Sequence, residues 1–254
     1  MAHPRRARMA RSYVLVRAIF TSTMTSANET ELRAAATLVL LRDAADGPEV
    51  LLLRRKSELA FYGGAWVFPG GAIDAEDRVE QADDTLAARN AAVRELREEA
   101  GLALPGDALL HFAQWVTPPG RTRRFDTWFF AAHAALAADQ AVQIDPGEMD
   151  AFRWMTPRAA LEARMRRELE LPPPTFVTLT VLAAHAAATD ALAALRASAV
   201  RYYAPHPCVV APAGLVYLYE GDAGYATRDP EAPGARHRLV VRGERGEHWS
   251  YELA

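Results

Sequence analysis

Three glutamates one helical turn apart are the residues in this chain best suited to chemistry. Glu95 stands three residues before Glu98 and four before Glu99, inside Arg94-Glu95-Leu96-Arg97-Glu98-Glu99-Ala100-Gly101-Leu102. Residues at those separations are neighbours on a helix, and like charges so placed repel by roughly 0.2–0.5 kcal/mol per pair. A solvated helix face, with Arg94 as a local partner for Glu98, is the plain alternative, but a face serving stability alone would more often alternate its signs. Such a cluster suits a hard divalent cation, because magnesium takes oxygen ligands from a few carboxylates and leaves other positions to water and substrate phosphates. Mg2+ or Mn2+ held by Glu95, Glu98 and Glu99 is therefore the expectation.

The element that must carry them is a helix. Leu86, Val93, Leu96 and Ala100 recur at helical spacing and predict one apolar stripe with the glutamates on the other side; Gly101 sits where a left-handed C-terminal residue is wanted. Ahead of the helix runs Phe68-Pro69-Gly70-Gly71. Two glycines permit a close backbone approach, to the helix or to a phosphate, that a side chain would block. The aliphatic runs Ala35 to Leu41 and Val50 to Arg55, either side of the turn signal Asp43-Ala44-Ala45-Asp46-Gly47-Pro48, read as paired strands. Lys56 to Gly64 reads as a loop, and Trp66-Val67-Phe68 as a third strand delivering the chain to the glycines.

The glycine turn followed by Arg-Glu-Leu-x-Glu-Glu-x-Gly-Leu resembles the Nudix box, Gly-x5-Glu-x7-Arg-Glu-U-x-Glu-Glu-x-Gly-U, where U is aliphatic. Here the box is expanded: twenty-two residues separate Gly71 from Arg94 in place of thirteen. The isolated glutamate, which in the family orients the box arginine, is missing, and Asp77, Asp83 and Asp84 are open substitutes. An expanded box, with Leu51-Leu52-Leu53-Arg54-Arg55 before it, is similar to the Nudix branch of the peroxisomal coenzyme A diphosphatases of nudix motif 19 type. Trp115-Val116-Thr117-Pro118, Arg124-Phe125-Asp126-Thr127-Trp128-Phe129-Phe130 and Leu171-Pro172-Pro173-Pro174-Thr175 extend the likeness, which runs from Ala34 to Leu182.

The resemblance implies an α/β fold, the Nudix α/β/α sandwich with a mixed central sheet, here with added C-terminal helices and strands. It implies a metal-dependent hydrolase that cleaves the diphosphate linkage of a nucleoside-diphosphate derivative. Glu95, Glu98 and Glu99 would hold the ions, with Glu148 brought in from the Asp145-Pro146-Gly147-Glu148 turn, and either a glutamate or the ion's effect on water would supply the base. Arg94 would orient the glutamates, and Gly70, Gly71, Arg55 and Arg124 would meet the substrate. Coenzyme A hydrolases of the family's other peroxisomal branch carry Leu-Leu-Thr-x-Arg-(Ser/Ala)-x3-Arg-x3-Gly-x3-Phe-Pro-Gly-Gly. This chain matches at Leu51, Leu52, Arg55, Gly64 and the glycine turn, and departs at Leu53, Lys56 and Ala60. Coenzyme A or acyl-coenzyme A is the first expectation for the substrate. The alternative is a non-catalytic Nudix-fold sensor that binds a nucleotide, which the altered box favours and the three intact helix glutamates oppose.

Farther on, Leu109 to Val116 and Phe125 to Ala132 form a strand pair, with Arg121, Arg123 and Arg124 either solubilising its tip or rimming a diphosphate site. Thr156 to Glu170 reads as a helix with Thr156 as N-cap and Pro157 at its first position, stopped by the prolines at 172–174. Phe176 to Ala188 and Asp190 to Ala199 read as a helix pair, in the Nudix setting a lid or the face of a homodimer. Val209 to Ala211, Leu215 to Tyr219, Arg238 to Val241 and Trp249 to Leu253 read as strands. His206, His237 and His248 lack ligand spacing. The expected organisation is a flexible extension over 1–31, a Nudix core over 32–170, and an elaboration over 171–254.

Composition bounds the rest. Half of the 254 residues are hydrophobic, enough for a sizeable core, and a net charge of −3 gives no global case for nucleic acid or an anionic membrane as partner. The single cysteine, Cys208, reads as a small core residue and excludes an intrachain disulfide. Arg5, Arg6, Arg8 and Arg11 precede a mildly apolar run that Arg17 interrupts, a poor secretory signal, and Met24 offers a second start. No stretch has the length to span a bilayer. Tyr251-Glu252-Leu253-Ala254 does not resemble a peroxisomal address, so a cytoplasmic protein acting on a small molecule is expected.

Overall fold

A computed structural model of the chain describes residues 31–59, 62–79, 83–210, 214–243 and 246–254. The expected extension lies outside the described residues but for Glu31, as do Ala60 and the strand end expected at Ala211. The chain gathers into two compact units, one of Arg33–Trp115 with Phe125–Tyr202, the other including Val116–Arg124 and Tyr203–Ala254.

The first unit is mixed α/β, built on an eight-stranded mixed sheet. Strands β1 (Leu32–Ala44) and β2 (Gly47–Arg55) form the expected antiparallel hairpin, with Ala44 opposite Gly47. β3 (Trp66–Val67) pairs with β2, and β4 (Gly70–Ala72) with β1, Gly71 standing opposite Ala36. Adding β5 (Leu110–Val116), β6 (Arg124–His133), β7 (Met149–Met155) and β8 (Arg201–Tyr203) gives the order β3-β2-β1-β6-β5-β8, with β4 on β1 and β7 on β2.

Leu38, Leu40, Leu51 and Leu53 share one core cluster with the box helix α1 (Asp84–Ala100). Val39, Leu41, Val50 and Leu52 point the opposite way by the alternation of a strand and are just as buried. Burial on both faces is why these strands read as unbroken aliphatic runs. Helices α2 (Pro157–Met165) and α4 (Ala188–Ala197) touch β2, and α3 (Pro173–Leu182) packs on α2. No helix among the described residues is long and apolar enough to cross a membrane.

Two local expectations are corrected. The core side of α1 is made by Ala87, Ala88, Ala91, Ala92, Leu96 and Ala100, while Leu86 is 39% exposed. Small side chains let the helix backbone lie close to the sheet, so the buried stripe is rotated from the one the larger residues suggest, and it takes Glu99 inside. The helix starting at Thr156 ends at Met165, before Glu170, and Pro173 opens α3 where the prolines were expected only to stop a helix. Proline suits a first turn because its missing N–H would be unpaired there anyway. The N-cap at Thr156 is as expected, its side chain accepting from the Ala159 N–H.

Gly101 closes α1 in the left-handed region at φ 69°, its N–H donating to the Arg97 carbonyl, and an added Cβ would stand 3.0 Å from Gln143 Cβ. Gly101→Ala should lower stability by about 1–2 kcal/mol, read as a shift of the urea midpoint at constant slope. An unchanged midpoint would contradict this account of the helix end.

The second unit carries an antiparallel sheet of β9 (His206–Val210), β10 (Gly214–Leu218), β11 (His237–Arg242) and β12 (His248–Leu253), in the order β12-β11-β10-β9. A buried ion pair anchors it: Arg238 Nε and Nη2 each donate to Asp222 at 2.7 Å, joined by the N–H groups of Gly224 and His237. Burial pushes the Asp222 carboxyl up, but the Arg238 fork and the two N–H donors outweigh it and hold it at about 2. His206 stacks on Tyr225, and His237 sits among Tyr203, Tyr219 and Tyr251, so both are packing residues.

Candidate active site

Pairing of β4 with β1 sets the two glycines beneath the C-terminal half of α1. The Gly70 N–H donates to Glu99 Oε2 at 2.9 Å, and a Cβ at Gly70 would run into the Ala36 carbonyl oxygen. A Cβ at Gly71 would overlap the Glu95 carboxylate. Gly71 therefore approaches the helix, whereas Gly70 approaches β1 and meets the helix through its N–H.

Arg94 organises the carboxylates on the outer side. Its Nη1 donates to Glu95 Oε1 at 2.9 Å and to Glu98 Oε2 at 3.0 Å, so both glutamates converge on one nitrogen. The rest of the guanidinium grips Asp77, Nε to Oδ1 at 3.1 Å and Nη2 to Oδ2 at 2.8 Å, and Nη2 also reaches the Ala72 carbonyl at 3.0 Å. Asp77 ends a short 3-10 turn, Ala75–Asp77, and is only 4% exposed. Of the three acidic residues open for the missing box glutamate, it is the one that meets Arg94. Asp83 caps α1 through the Leu86 N–H, and Asp84 pairs with Arg78 at 2.9 Å.

A second arginine lies on the inner side. Arg55 Nη1 is 3.8 Å from Glu99 Oε1 and its Nη2 is 3.6 Å from Glu148 Oε2. Glu148 is brought there by three devices. The Gln143 and Asp145 N–H groups donate to the carbonyls of Ala100 and Glu99 at the end of α1, and the Lys56 N–H donates to the Glu148 carbonyl at 2.9 Å. A bulge does the rest: Arg54 stands opposite Ala151 and Arg55 opposite Met149, so Asp150 is an extra residue that re-phases β7.

Crowding of four carboxylates shows in their electrostatics. Burial raises the Glu99 carboxyl to about 8, the Gly70 N–H pulls it down, Glu95 and Glu148 push it up, and Arg55 opposes them. Burial also raises Glu95, against its hydrogen bond to Arg94 and with the charges of Glu98 and Glu148 adding to the rise. Among the described residues no three His, Cys, Asp or Glu side chains are placed as a group that could hold a metal ion. The two arginines stand where positive charge is wanted. An all-oxygen donor set, a carboxylate whose charge burial disfavours, and a glycine cradle beside Glu95 together suit a hard divalent ion.

Arg124 belongs to the other unit, where its Nε donates to the Thr117 carbonyl at 3.1 Å. In the same unit Arg121 is hydrogen-bonded to the phenol of Tyr217. Sequence reasoning left Asp77 undecided and missed Asn90, whose Nδ2 holds the Asp77 carbonyl at 2.9 Å, and the Asp150 bulge. Asn90 lies one turn before Arg94 on α1, the only hint of its part; a one-residue bulge leaves no local signal.

Residues 31–173 match the family model of the NUDIX domain. The chain is 28% identical over 239 residues to the human acyl-coenzyme A diphosphatase NUDT19, a match covering 58% of this chain and 63% of that protein. The Xenopus laevis acyl-coenzyme A diphosphatase NUDT19 is 25% identical over 291 residues, covering 77% of this chain and 76% of its own length. The crystal structure of a NUDIX hydrolase from Alicyclobacillus acidocaldarius superposes with a TM-score of 0.57 at 29% identity, over 65% of this chain and 96% of that one. The chain thus spans less than two thirds of the human relative. More than half of its own length matches the domain, and the chain belongs to the Nudix family.

Proposed function

We propose that the protein is a divalent-metal-dependent pyrophosphohydrolase that cleaves the diphosphate linkage of a nucleoside-diphosphate derivative, with coenzyme A or acyl-coenzyme A as the first candidate. The observation that carries this reading is Glu99: a carboxylate 4% exposed, fixed by the Gly70 N–H and surrounded by Glu95 and Glu148. Burying such a group weakens a fold unless a cation compensates it.

Glu95, Glu98, Glu99 and Glu148 would hold Mg2+ or Mn2+, which when bound supplies charge neutralisation for diphosphate oxygens and acidifies an attacking water. The chain contributes position. Arg94 fixes Glu95 and Glu98, the glycine turn fixes Glu99, and the β7 bulge presents Glu148, so each carboxylate has its own support before substrate arrives. A glutamate of this set takes the proton from water. Arg55 is the fork for phosphate oxygens, and Gly70 and Gly71 shape the floor. Names of the two relatives, together with the partial coenzyme A pattern at Leu51, Leu52, Arg55 and Gly64, support the substrate. One cysteine in 254 residues suits the reducing cytoplasm.

A screen of coenzyme A, acyl-coenzyme A, sugar nucleotides and dinucleotides with Mg2+ or Mn2+, read by mass, tests this. The expected result is cleavage of the coenzyme A compounds into an adenosine phosphate and a pantetheine phosphate. Tight binding of one of these compounds with cleavage of none would replace the hydrolase with a nucleotide sensor.

A further inference from the structure

The two arginines of the site are held in opposite ways. Arg94 makes five hydrogen bonds between 2.8 and 3.1 Å, three of its nitrogens each having partners at good distance. Arg55 makes none from its guanidinium to any described residue: its carboxylate neighbours are 3.6 and 3.8 Å away, beyond hydrogen-bond reach, and its Nε is buried with no partner. A buried, unsatisfied donor is unfavourable. Electrostatic attraction to Glu148, and to Glu99 once it ionises, is what holds the group there.

The backbone under it is fixed. The Arg55 N–H donates to Ala65, its carbonyl accepts from Gly64, and Met149 stands opposite it on β7. Any response is therefore confined to the side chain. We infer that Arg55 is an internal stand-in for the cation, occupying the gap between Glu99 and Glu148 until a divalent ion enters, displaces it, and so releases its fork for the substrate's diphosphate. This rests on the proposed metal-dependent reading. It adds an order of events: the ion competes with Arg55 for the carboxylates, and the arginine becomes a phosphate ligand only after losing them. Arg94, locked to Asp77, stays where it is.

Opposite effects on two affinities distinguish this from a structural role. Arg55→Gln and Arg55→Met are compared with the wild-type chain for Mn2+ affinity without nucleotide, by counting free ion with electron paramagnetic resonance. Affinity for a methylene-bridged ADP analogue is then measured with Mn2+ saturating. Loss of the competing charge should tighten Mn2+ by at least roughly threefold, and loss of the fork should weaken the analogue by roughly tenfold or more. Unchanged or weaker Mn2+ binding in both variants overturns the inference, as does unchanged analogue affinity, while leaving the hydrolase reading standing. A wild-type chain that binds no Mn2+ overturns both.

Discussion

Glu99→Gln is expected to abolish most turnover, by at least about 10²-fold, while making the metal-free protein more stable at alkaline pH. The folded chain keeps a proton on Glu99 up to about 8, whereas the unfolded chain releases it near the ordinary value of 4.5. Between those values the native state binds more protons, so this group's contribution to stability is full below 4.5 and is lost as pH rises through 8. The loss is on the order of a few kcal/mol. Glutamine keeps an oxygen for the Gly70 N–H and removes the charge. At pH 8.5, without metal, the variant should melt above the wild-type protein; at pH 5 the two should coincide. Mg2+ should raise the wild-type midpoint and leave the variant nearly unmoved, because an ion that binds only the native state stabilises it by mass action. A variant that melts lower at pH 8.5, or turns over at the wild-type rate, would remove Glu99 from the site.

Much of this site was legible because its signals are local. Glu95, Glu98 and Glu99 lie within one turn and a third of one helix, so their spacing alone brings them together, and the double glycine marks a close approach whatever it approaches. What could not be read is what depends on packing between segments. The choice of Asp77 over Asp83 and Asp84 follows from where the nine extra residues of the box fold, and no pattern in Asp83 or Asp84 betrays that they are spent on capping α1 and pairing with Arg78. The rotation of α1 that buries Glu99 and exposes Leu86 comes from alanines, whose apolarity is too slight to dominate a periodicity argument. The sheet was legible where strands are buried on both faces, as in β1 and β2. Its irregularities were not, and the Asp150 bulge is one that matters, since it turns Glu148 toward Arg55.

Arg94→Leu should be the most destabilising single change in the site, by about 3–5 kcal/mol, since it leaves the Asp77 carboxylate buried without its counter-ion. Among the described residues, Asp77 would retain only the Asp74 N–H on its side-chain oxygens, at 2.8 Å. Asp77→Asn should also be costly, because an amide nitrogen would then face the guanidinium. The two substitutions share one interaction, so the double variant should fall well short of the sum, by roughly 1–3 kcal/mol. Asp84→Asn, at an exposed ion pair, should lower stability by no more than about 0.5 kcal/mol. Urea midpoints of the four variants decide it. Asp77→Glu would test the same logic from the other side: the longer side chain must fold back to keep both oxygens on Arg94, and Glu95 and Glu98, which hang on the far nitrogen of that guanidinium, would move with it. Additive losses in the double variant, or an Asp84 effect as large as that of Asp77, would show that Arg94 is anchored elsewhere and that the carboxylates owe their placement to something other than this pair.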